Sequence, residues 1–513
     1  MKGKAETNIT AVLRAAVLAV AILGQIALLV ALTIWLEEFG GAVTYGAVIA
    51  SAIAVMRLVQ KNDDPTYRMA WLLIVIVMPI FGLLLYLLWG RATIGPRTRK
   101  HITRAFRKVA REMPAQQETL EEIARDHPSR RRVCNYMARA GFPLYRNTRL
   151  RYYPLGEHFF DALCGDIGKA EHFIFLEYFI VDYGEVWDRV HALLREKASQ
   201  GVEVRLLYDD AGCLFTLKRG FAAELRAEGI KVEAFGNVHR YVSELHVNYR
   251  NHRKLAVIDG NIGYAGGNNI ADEYANVYAK HGHWKDTAVR LEGEAVWSLT
   301  ATFLGMWELA HSGAVDDRYA DYRPTKAVSG SSYVQPVNDG PANNPENPIE
   351  DMYRQVISSA QQYCYITTPY LILDSSMTDA LRIAARAGVD VRIYTPGIPD
   401  RWYVHPVTRS YYGRLLEEGV RIFEYTPGFI HAKMMVSDDD TAVVGSVNMD
   451  FRSFFLHYEN TVLTVGDPIA VEIRKDIAAM EEQCREVLFQ EWKNRPLAER
   501  AAGFCLRAFS TLM

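Results

Sequence analysis

The sequence has few cysteines, and none of them forms a recognisable motif. Its six cysteines are scattered over 513 residues without a Cys-x-x-Cys pair. Zinc knots require such paired spacing, and small secreted domains held by disulfides are much denser in cysteine. Both classes are therefore excluded, and the cysteine usage fits a reducing compartment.

The sequence also lacks an excess of charge of either sign. Lys and Arg number 58, and Asp and Glu number 60. Because nucleic acid is bound largely through positive charge, the balanced composition does not indicate a nucleic-acid partner. Any electrostatic preference must come from local clusters of charge.

Motifs for common cofactors are missing at the positions where they could be suspected. The glycine pairs at Gly266 and Gly445 match neither the dinucleotide fingerprint nor the phosphate loop with its Lys-Ser/Thr. His281 and His283 could be combined with other histidines, but no carboxylate or Cys completes a ligand spacing. We therefore interpret them as loop histidines, together with His239 and His246. The sequence predicts no metal site and no cofactor.

Charge is absent from a long run near the N-terminus. Residues 15–35 are uncharged and mostly aliphatic, which is the length that a helix needs to cross ~30 Å of hydrocarbon. Two further apolar stretches cover residues 42–59 and 69–89, the second interrupted by Pro79. We predict that residues 1–90 are a membrane anchor of two or three hydrophobic segments that includes transmembrane helices, with residues 42–59 and 69–89 pairing as a shallow or re-entrant hairpin.

A basic segment follows the apolar runs. Residues 91–150 are rich in arginine and lysine and are predicted to form a helical linker beside the membrane. Each basic residue near an anionic lipid surface contributes ~1 kcal/mol of attraction. A charged helix that only fixes topology, or only faces solvent, explains the same residues, and these readings are compatible.

The rest of the chain contains an internal repeat. A strand, helix, strand, helix, strand order leads to a His-x-Lys motif in residues 151–312, and the same order recurs in residues 349–513. This order predicts an α/β fold of two pseudo-symmetric units with mixed sheets flanked by helices. Residues 313–348, rich in Gly, Pro, Asn and Ser, are predicted to be a linker in which five prolines exclude regular structure.

Each repeat contains one motif that is predicted to form a β-hairpin. In the first, His252 and Lys254 precede four apolar residues, Asp259 and a glycine pair that leads to Asn269. Side chains two apart on a strand point the same way, Asp-Gly forms the turn, and glycine lets the backbone approach a ligand. The second motif has the same spacing at the positions His431, Lys433, Asp438 and Asn448.

These residue types suit chemistry on a phosphodiester. Lysine and asparagine can neutralise and orient the non-bridging oxygens, and histidine can attack phosphorus or protonate a leaving alkoxide. Two imidazoles on opposite sides of phosphorus explain why two copies exist. Each imidazole needs a carboxylate that fixes its tautomer, and we predict Asp286 for His252 and Glu459 for His431, each within its own repeat.

The two motifs resemble the signature of the phospholipase D superfamily, His-x-Lys-x-x-x-x-Asp followed by Gly-Ser-x-Asn. The first motif departs by having Gly267 in place of the serine. The resemblance is closer to the bacterial cardiolipin synthases. The segments that carry it are Pro79 to Gly82, Leu176-Glu-Tyr, Leu207-Tyr-Asp-Asp, Thr368-Pro-Tyr and Asn448-Met-Asp-x-Arg-Ser453.

This resemblance implies a phosphatidyltransferase of the bacterial inner membrane with its catalytic part in the cytoplasm. The catalytic residues would be His252, Lys254, Asp259, His431, Lys433 and Asp438. They would form cardiolipin and glycerol from two phosphatidylglycerol molecules, by a phosphohistidine on His252 and without a metal. Phosphatidylglycerol and other anionic lipids would be the partners, without an obligatory protein partner.

Three alternatives share these residues. A hydrolytic phospholipase D would pass the phosphatidyl group to water, and the sequence does not distinguish it from a synthase. A non-catalytic scaffold is disfavoured because His and Lys are intact in both motifs. A nuclease is disfavoured by the predicted anchor and by the balanced charge.

Overall fold

A computed structural model gives the fold. It describes residues 41–60, 65–87, 96–236, 249–311, 318–341, 347–507 and 510, together with isolated positions between 23 and 35. The first predicted membrane segment, residues 15–35, and the histidines His239 and His246 therefore lie largely or wholly outside the described residues.

In this part of the chain the helices are α1 Gly41–Gln60, α2 Pro65–Val77, α3 Pro79–Leu85, α4 Pro96–Glu112, α5 Gln117–Asp126, α6 Arg131–Arg139, α7 Gly156–Ile167, α8 Glu185–Ser199, α9 Phe221–Ala227, α10 Val296–Ala310, α11 Pro348–Ser359, α12 Ser375–Arg386, α13 Val404–Glu417, α14 Phe451–Phe455, α15 Ile469–Glu481, α16 Phe489–Lys493 and α17 Leu497–Arg507. Single 3₁₀ turns lie at Asp272–Ala275 and Tyr319–Tyr322.

The strands are β1 Thr148–Tyr153, β2 Phe173–Tyr178, β3 Glu203–Asp209, β4 Lys231–Phe235, β5 Arg250–Asn251, β6 Leu255–Ile258, β7 Ile262–Gly266, β8 His283–Lys285, β9 Ala288–Gly293, β10 Tyr333–Asp339, β11 Tyr363–Thr367, β12 Leu371–Ile372, β13 Asp390–Pro396, β14 Arg421–Tyr425, β15 Gly428–Ile430, β16 Met434–Ser437, β17 Thr441–Gly445, β18 Met449–Asp450, β19 His457–Val465 and β20 Cys484–Glu486.

Two large mixed sheets repeat one strand order. The first is β1-β9-β7-β6-β2-β3-β4, and the second is β10-β19-β17-β16-β11-β13-β14-β20. In each, three parallel strands are followed by an antiparallel hairpin that carries the His-x-Lys motif. The parallel strands are apolar on both faces because helices cover them, as in β2 with its sequence Phe-Ile-Phe-Leu-Glu-Tyr. The predicted α/β fold with two repeats is confirmed.

The cores of the two repeats join between the sheets. One continuous apolar cluster contains Phe175 and Val289 of the first repeat and Met434 and Val462 of the second. Helix α10 contributes to it and is buried along almost its entire length. Two further clusters lie on the outer faces of the sheets. The repeats therefore share one interior.

The predicted linker contains a strand. Strand β10 lies within residues 313–348 and forms the edge of the second sheet, paired with β19. Pro336 is tolerated there because an edge strand has one side on which no ladder donor is required. The prediction that the prolines exclude regular structure from this segment was wrong.

The apolar stretches after residue 40 fold as a helical hairpin. Helix α1 packs against α3, and the Ser51 hydroxyl donates to the carbonyl of Pro79 at 2.7 Å. The third predicted segment is divided at Met78 into α2 and α3, where Pro79 begins the second helix. No helix among the described residues combines the length and the apolar character needed to cross a membrane.

Candidate active site

Two short parallel strand pairs bring the repeats together at the motifs. Strand β5 pairs with the start of β19, so that Tyr458 lies opposite Asn251. Strand β8 pairs with β15, so that Ile430 lies opposite Lys285. The next residue on each strand is a motif histidine or a buried carboxylate. The register of these pairs therefore decides which carboxylate each histidine contacts.

His252 is bonded to a carboxylate of the second repeat. Its Nδ1 lies 2.8 Å from Glu459 Oε1, and the Glu459 side chain is fully buried. Because a carboxylate only accepts, Nδ1 carries the proton and Nε2 remains free of it. The His252 amide also donates to the carbonyl of Tyr458 at 3.0 Å. The imidazole is thereby held in one tautomer and one orientation.

His431 is bonded in the same way to a carboxylate of the first repeat. Its Nδ1 lies 2.6 Å from Asp286 Oδ2, and Asp286 belongs to the first repeat and is fully buried. The His431 amide donates to the carbonyl of Lys285 at 2.7 Å. Tyr274 meets the His431 ring edge-on, with the ring centroids 5.2 Å apart. This imidazole is also left with Nε2 as the nitrogen available to a substrate.

The predicted assignment of carboxylates within each repeat was wrong. Glu459 contacts His252 rather than His431, and Asp286 contacts His431 rather than His252. The exchange follows from the strand pairs across the repeat interface, which place residue 459 beside 252 and residue 286 beside 431. Strands of two or three residues leave no periodic signal, so the sequence alone could not reveal this pairing.

The motif lysines lie behind the histidines. Lys254 Nζ donates to the carbonyl of His252 at 2.5 Å, and Lys433 Nζ donates to the carbonyl of His431. Burial lowers the pKa of Lys433 to about 8, and burial with the nearby Lys433 lowers the pKa of Lys254 well below its usual value. Neither lysine is among the residues that line the cavity.

The histidines open into one cavity of about 450 Å³. His252, His431, Asn269 and Asn448 all line it. Asn269 is engaged, since its Oδ1 accepts from the Ile180 amide at 3.0 Å and its Nδ2 donates to the Tyr274 hydroxyl. The buried amide oxygen of Asn448 has no hydrogen-bond partner among the described residues. Asn448 is therefore the amide better placed to bind a substrate.

The motif aspartates do not lie in the cavity. Both adopt positive φ at the hairpin turns, at 52° for Asp259 and 55° for Asp438. Asp259 accepts the amides of residues 171–173, and Asp438 accepts those of residues 361–363. Their carboxylates fix the start of β2 and β11 at the far ends of the hairpins. Both aspartates are therefore engaged at the hairpin turns, and neither is among the residues that line the cavity.

The glycine at position 267, where the family motif usually has serine, has a steric explanation. A Cβ atom at this position would clash with Asp286 Oδ1. At the matching position of the second repeat, the Ser446 hydroxyl donates to Glu459 Oε2. The Asp286 side chain therefore occupies the space that a serine would need, and the Thr287 amide donates to its Oδ1 at 2.8 Å.

Two of the segments that resemble cardiolipin synthases, Leu176-Glu-Tyr and Leu207-Tyr-Asp-Asp, contribute carboxylates that contact the residue before His252. The Asn251 amide donates to Asp209 Oδ2 at 2.9 Å, and its side chain donates to Glu177 Oε1 at 2.8 Å. Burial raises the pKa of Glu177 to about 7 and also raises that of Asp209. These carboxylates fix β5, which presents His252.

Several basic residues of the cavity were missed by sequence reasoning. Arg250, Arg401 and Arg452 line it together with His457. They surround the two histidines with positive charge, which suits an anionic substrate. Arg452 lies in the quoted segment after Asn448, but the others belong to no motif, so only the fold brings them together.

The surroundings of both motif histidines lower their pKa values and so favour the neutral imidazoles in the absence of substrate. Burial, assisted by Lys254 and Lys433, lowers the pKa of His252 well below its usual value. Burial and Lys433 lower the pKa of His431 to about 4 despite the opposing charge of Asp286. A neutral imidazole whose Nδ1–H is bound by a carboxylate is a competent nucleophile at Nε2. An anionic substrate beside His431 would favour its protonated form.

One group among the described residues could hold a metal ion. The ligand atoms of His252, His457 and Glu459 lie within 4.8 Å of one another. Arg452 Nε, however, donates to His457 Nε2 at 3.2 Å, and a guanidinium at that distance disfavours a bound cation. The donor set is therefore better suited to holding His252 than to holding a metal.

Comparison with protein-family models agrees with this geometry. Residues 163–295 and 353–481, which carry one motif each, match the family described as cardiolipin synthase, PLD-like domain. The chain belongs to this family. Residues 49–91 match a second model, described as phospholipase D-nuclease N-terminal. As a member of the family, the chain is a transferase enzyme of the phosphatidyl-transferring type.

Relatives of the family match most of the chain. A cardiolipin synthase of Listeria monocytogenes is 35% identical over 418 residues, covering 79% of this chain and 85% of the relative. Cardiolipin synthase 2 of Bacillus anthracis is 34% identical over 457 residues and covers 88% of each chain. An uncharacterised protein of Streptococcus mutans is 37% identical over 464 residues, or 90% of this chain and 99% of the relative.

A solved structure shares the fold. The phosphatidylserine synthase of Haemophilus influenzae superposes with a TM-score of 0.56 at 15% identity, covering 74% of this chain and 98% of that chain.

Proposed function

We propose that the chain is a cardiolipin synthase of the bacterial inner membrane, which transfers a phosphatidyl group between two phosphatidylglycerol molecules and releases glycerol. The observation that carries the proposal is the crossed arrangement of His252 with Glu459 and His431 with Asp286 around one cavity. It provides a nucleophile and a separate acid, which a double displacement at phosphorus requires.

In the first half-reaction, His252 Nε2 attacks phosphorus. The bond from phosphorus to the glycerol oxygen breaks, and protonated His431 gives its Nε2 proton to that oxygen. Glu459 stabilises the positive charge that develops on the His252 ring. The products of this step are glycerol and a phosphatidyl group bound to His252.

In the second half-reaction, neutral His431 takes the proton of a hydroxyl on the second phosphatidylglycerol. The resulting alkoxide attacks phosphorus, the bond from phosphorus to His252 breaks, and cardiolipin forms. Arg250, Arg401 and Arg452 supply charge for the phosphate oxygens, and the amide oxygen of Asn448 can accept from a glycerol hydroxyl. Asp259 and Asp438 are proposed to stabilise the hairpins instead of acting on substrate.

The test is product analysis with the purified full chain and phosphatidylglycerol in detergent. We expect cardiolipin and glycerol, and we expect His252→Ala and His431→Ala each to abolish both products because the two imidazoles act as one unit. His191→Ala is the matched control, since His191 also contacts a carboxylate, Glu228, but away from the cavity.

Two outcomes would contradict the proposal. Phosphatidic acid without cardiolipin would establish the hydrolytic phospholipase D instead. Substantial turnover in His252→Ala or His431→Ala would show that the two histidines do not act as a pair.

A further inference from the structure

We propose that three exposed aromatic residues around the cavity mouth form a docking surface for an anionic phospholipid bilayer. These residues, Phe215, Tyr278 and Trp402, are called the aromatic rim below. The inference deepens the proposed function, because it states how a lipid substrate reaches the two histidines.

Each residue of the aromatic rim lies in a loop that also lines the cavity. Trp402 is 81% exposed, and its neighbours Arg401 and Tyr403 both line the cavity. Tyr278 is 54% exposed, in the loop between the cavity-lining residues Tyr274 and Lys280. Phe215, at 58% exposed, follows the cavity-lining Ala211 by four residues.

The side-chain chemistry of the rim fits the bilayer interface. Tryptophan and tyrosine combine an apolar ring with a polar group and concentrate at the level of lipid headgroups. Lys280 and Arg401 stand beside the rim, and Lys218 follows Phe215 by three residues. Positive charge beside aromatic rings favours an anionic lipid surface.

The N-terminal helical hairpin contacts a residue that lines the same cavity. Tyr67 on α2 stacks on Phe451, a cavity-lining residue, with ring centroids 5.8 Å apart and planes 10° apart. The same hairpin exposes large apolar side chains to its surroundings, among them Tyr45, Met69 and Val77. The hairpin that exposes these apolar side chains is therefore packed directly against the wall of the cavity.

The size of the cavity also favours a bilayer. A volume of about 450 Å³ falls in the range of small-molecule sites. It can hold phosphoglycerol groups, but the four acyl chains of the two reacting lipids must remain outside. A bilayer in contact with the rim keeps these chains out of water while the headgroups reach His252 and His431.

The direct test places an environment-sensitive label at Trp402. The full chain carrying Trp402→Cys, Cys484→Ser and Cys505→Ser is labelled, because Cys505 is exposed, Cys484 is half-buried and the other four cysteines are buried. It is then reconstituted in vesicles of phosphatidylglycerol and phosphatidylcholine that contain nitroxide lipids. We expect quenching and a blue shift of the label. This readout requires no catalysis, so it is independent of the proposed reaction.

Ile383→Cys in the same background is the matched control. Ile383 is as exposed as Phe215, but it lies in the last turn of α12 and does not line the cavity. We expect its label to remain unquenched. Equal quenching of both labels, or of neither, would overturn the proposal. If neither label is quenched but the fluorescence of the label at position 402 changes with protein concentration, the rim would instead be assigned as a contact with a second copy of the chain.

Kinetics provide a second, independent measurement. Trp402→Ser should raise the lipid concentration required for half-maximal activity on vesicles by roughly tenfold, equivalent to ~1.4 kcal/mol of interfacial binding. It should leave kcat unchanged on a short-chain phosphatidylglycerol below its micellar concentration. An equal loss of activity on vesicles and on the short-chain lipid would contradict a docking role and would indicate a damaged cavity.

Discussion

At the residue scale, the two buried carboxylates decide what each histidine can do. Glu459 and Asp286 come from the repeat opposite to the histidine that each contacts. A carboxylate behind an imidazole fixes the tautomer and stabilises the imidazolium, so its removal costs far more than one hydrogen bond. The chemical role of each carboxylate therefore follows its contact and not its repeat.

Glu459→Gln should disable the attack by His252. A neutral amide of the same shape preserves the fold, but it can accept from Nδ1 without stabilising the ring's positive charge. We expect kcat/KM to fall by roughly 10³- to 10⁴-fold, as when an amide replaces the carboxylate of a catalytic triad. Steady-state kinetics and the melting temperature, measured on the same preparation, check the prediction.

The control for this variant is Glu228→Gln, which alters the surface contact with His191. It should leave kcat/KM unchanged. A Glu459→Gln enzyme with near-normal rates would show that the carboxylate is an ordinary strand residue.

Gly267→Ser would restore the usual family motif and should nevertheless damage the enzyme. The added Cβ clashes with Asp286 Oδ1, so the carboxylate must move away from His431. We expect a fall in kcat of roughly 10²-fold, since misplaced catalytic groups are costly. Gly165→Ser is the control, because a Cβ there meets no atom within 4 Å. Unchanged kinetics for Gly267→Ser would show that Asp286 tolerates displacement.

His457→Asn should alter how stability depends on pH. Burial, together with Arg452 and His252, lowers the pKa of His457 to about 3 in the folded chain. The unfolded chain binds a proton near pH 6.5, so the stability contributed by neutral His457 is present above that pH and is lost as pH falls toward 3.

Between about pH 7 and about pH 5, the natural chain should therefore lose ~2 kcal/mol that the variant does not lose. Denaturant unfolding in detergent at both pH values measures the difference. Parallel pH dependences of the natural chain and His457→Asn would contradict the assignment of a neutral, buried imidazole.

The motif residues themselves were accessible from the sequence, because their spacing is repeated and their chemistry is distinctive. His252, His431 and Asn448 line one cavity as the motifs suggested. The positions of Glu459 and Asp286 in the chain were also identified, but their partners were exchanged. Arg250 and Arg401 carry no local signal, since only the fold brings them to the cavity.

At the element scale, each hairpin is held at its turn by an aspartate. The second hairpin has an additional support in Arg130, which precedes α6 and is only 1% exposed. Its guanidinium lies 2.7 Å from Asp438 Oδ2 and donates to Asp440 and to the Ser359 hydroxyl. The basic segment before the repeats thus contributes a structural cation to the second repeat.

Arg130→Met should destabilise the fold without changing the chemistry. Removing the guanidinium leaves the Asp438 carboxylate without its buried cation, which costs ~3 kcal/mol or more. We expect a lower melting temperature and a kcat per folded molecule within a few-fold of normal. Arg382→Met is the control, because its contact with Asp379 lies at the surface and is worth under ~1 kcal/mol. A selective loss of kcat would instead connect this end of the hairpin to catalysis.

Long elements were predictable from periodicity, whereas short ones were not. The predicted parallel strands and both motif hairpins are present as β2, β3, β11, β13 and the pairs β6–β7 and β16–β17. Strand β10 was missed because its proline normally argues against a strand. Strands β5, β8 and β15 were missed because two or three residues contain no pattern, yet they determine the site.

At the scale of the whole molecule, neither repeat holds a complete active site. Each supplies one histidine and the carboxylate for the other, and one shared core fixes their relative position. The duplication and the α/β class could be predicted from the sequence, because both depend on long-range repetition. The contact of each histidine with a carboxylate of the other repeat could not be predicted, because it depends on packing between the repeats.

The measurement that tests the central claim most directly is the identification of the phosphorylated histidine. The purified chain is mixed with phosphatidylglycerol labelled in its phosphate, quenched in base during turnover, and mapped by peptide mass spectrometry. We predict a phosphatidyl group on His252 in the natural chain and none in Glu459→Gln. A label on His431, or cardiolipin formed with neither histidine labelled, would contradict the account.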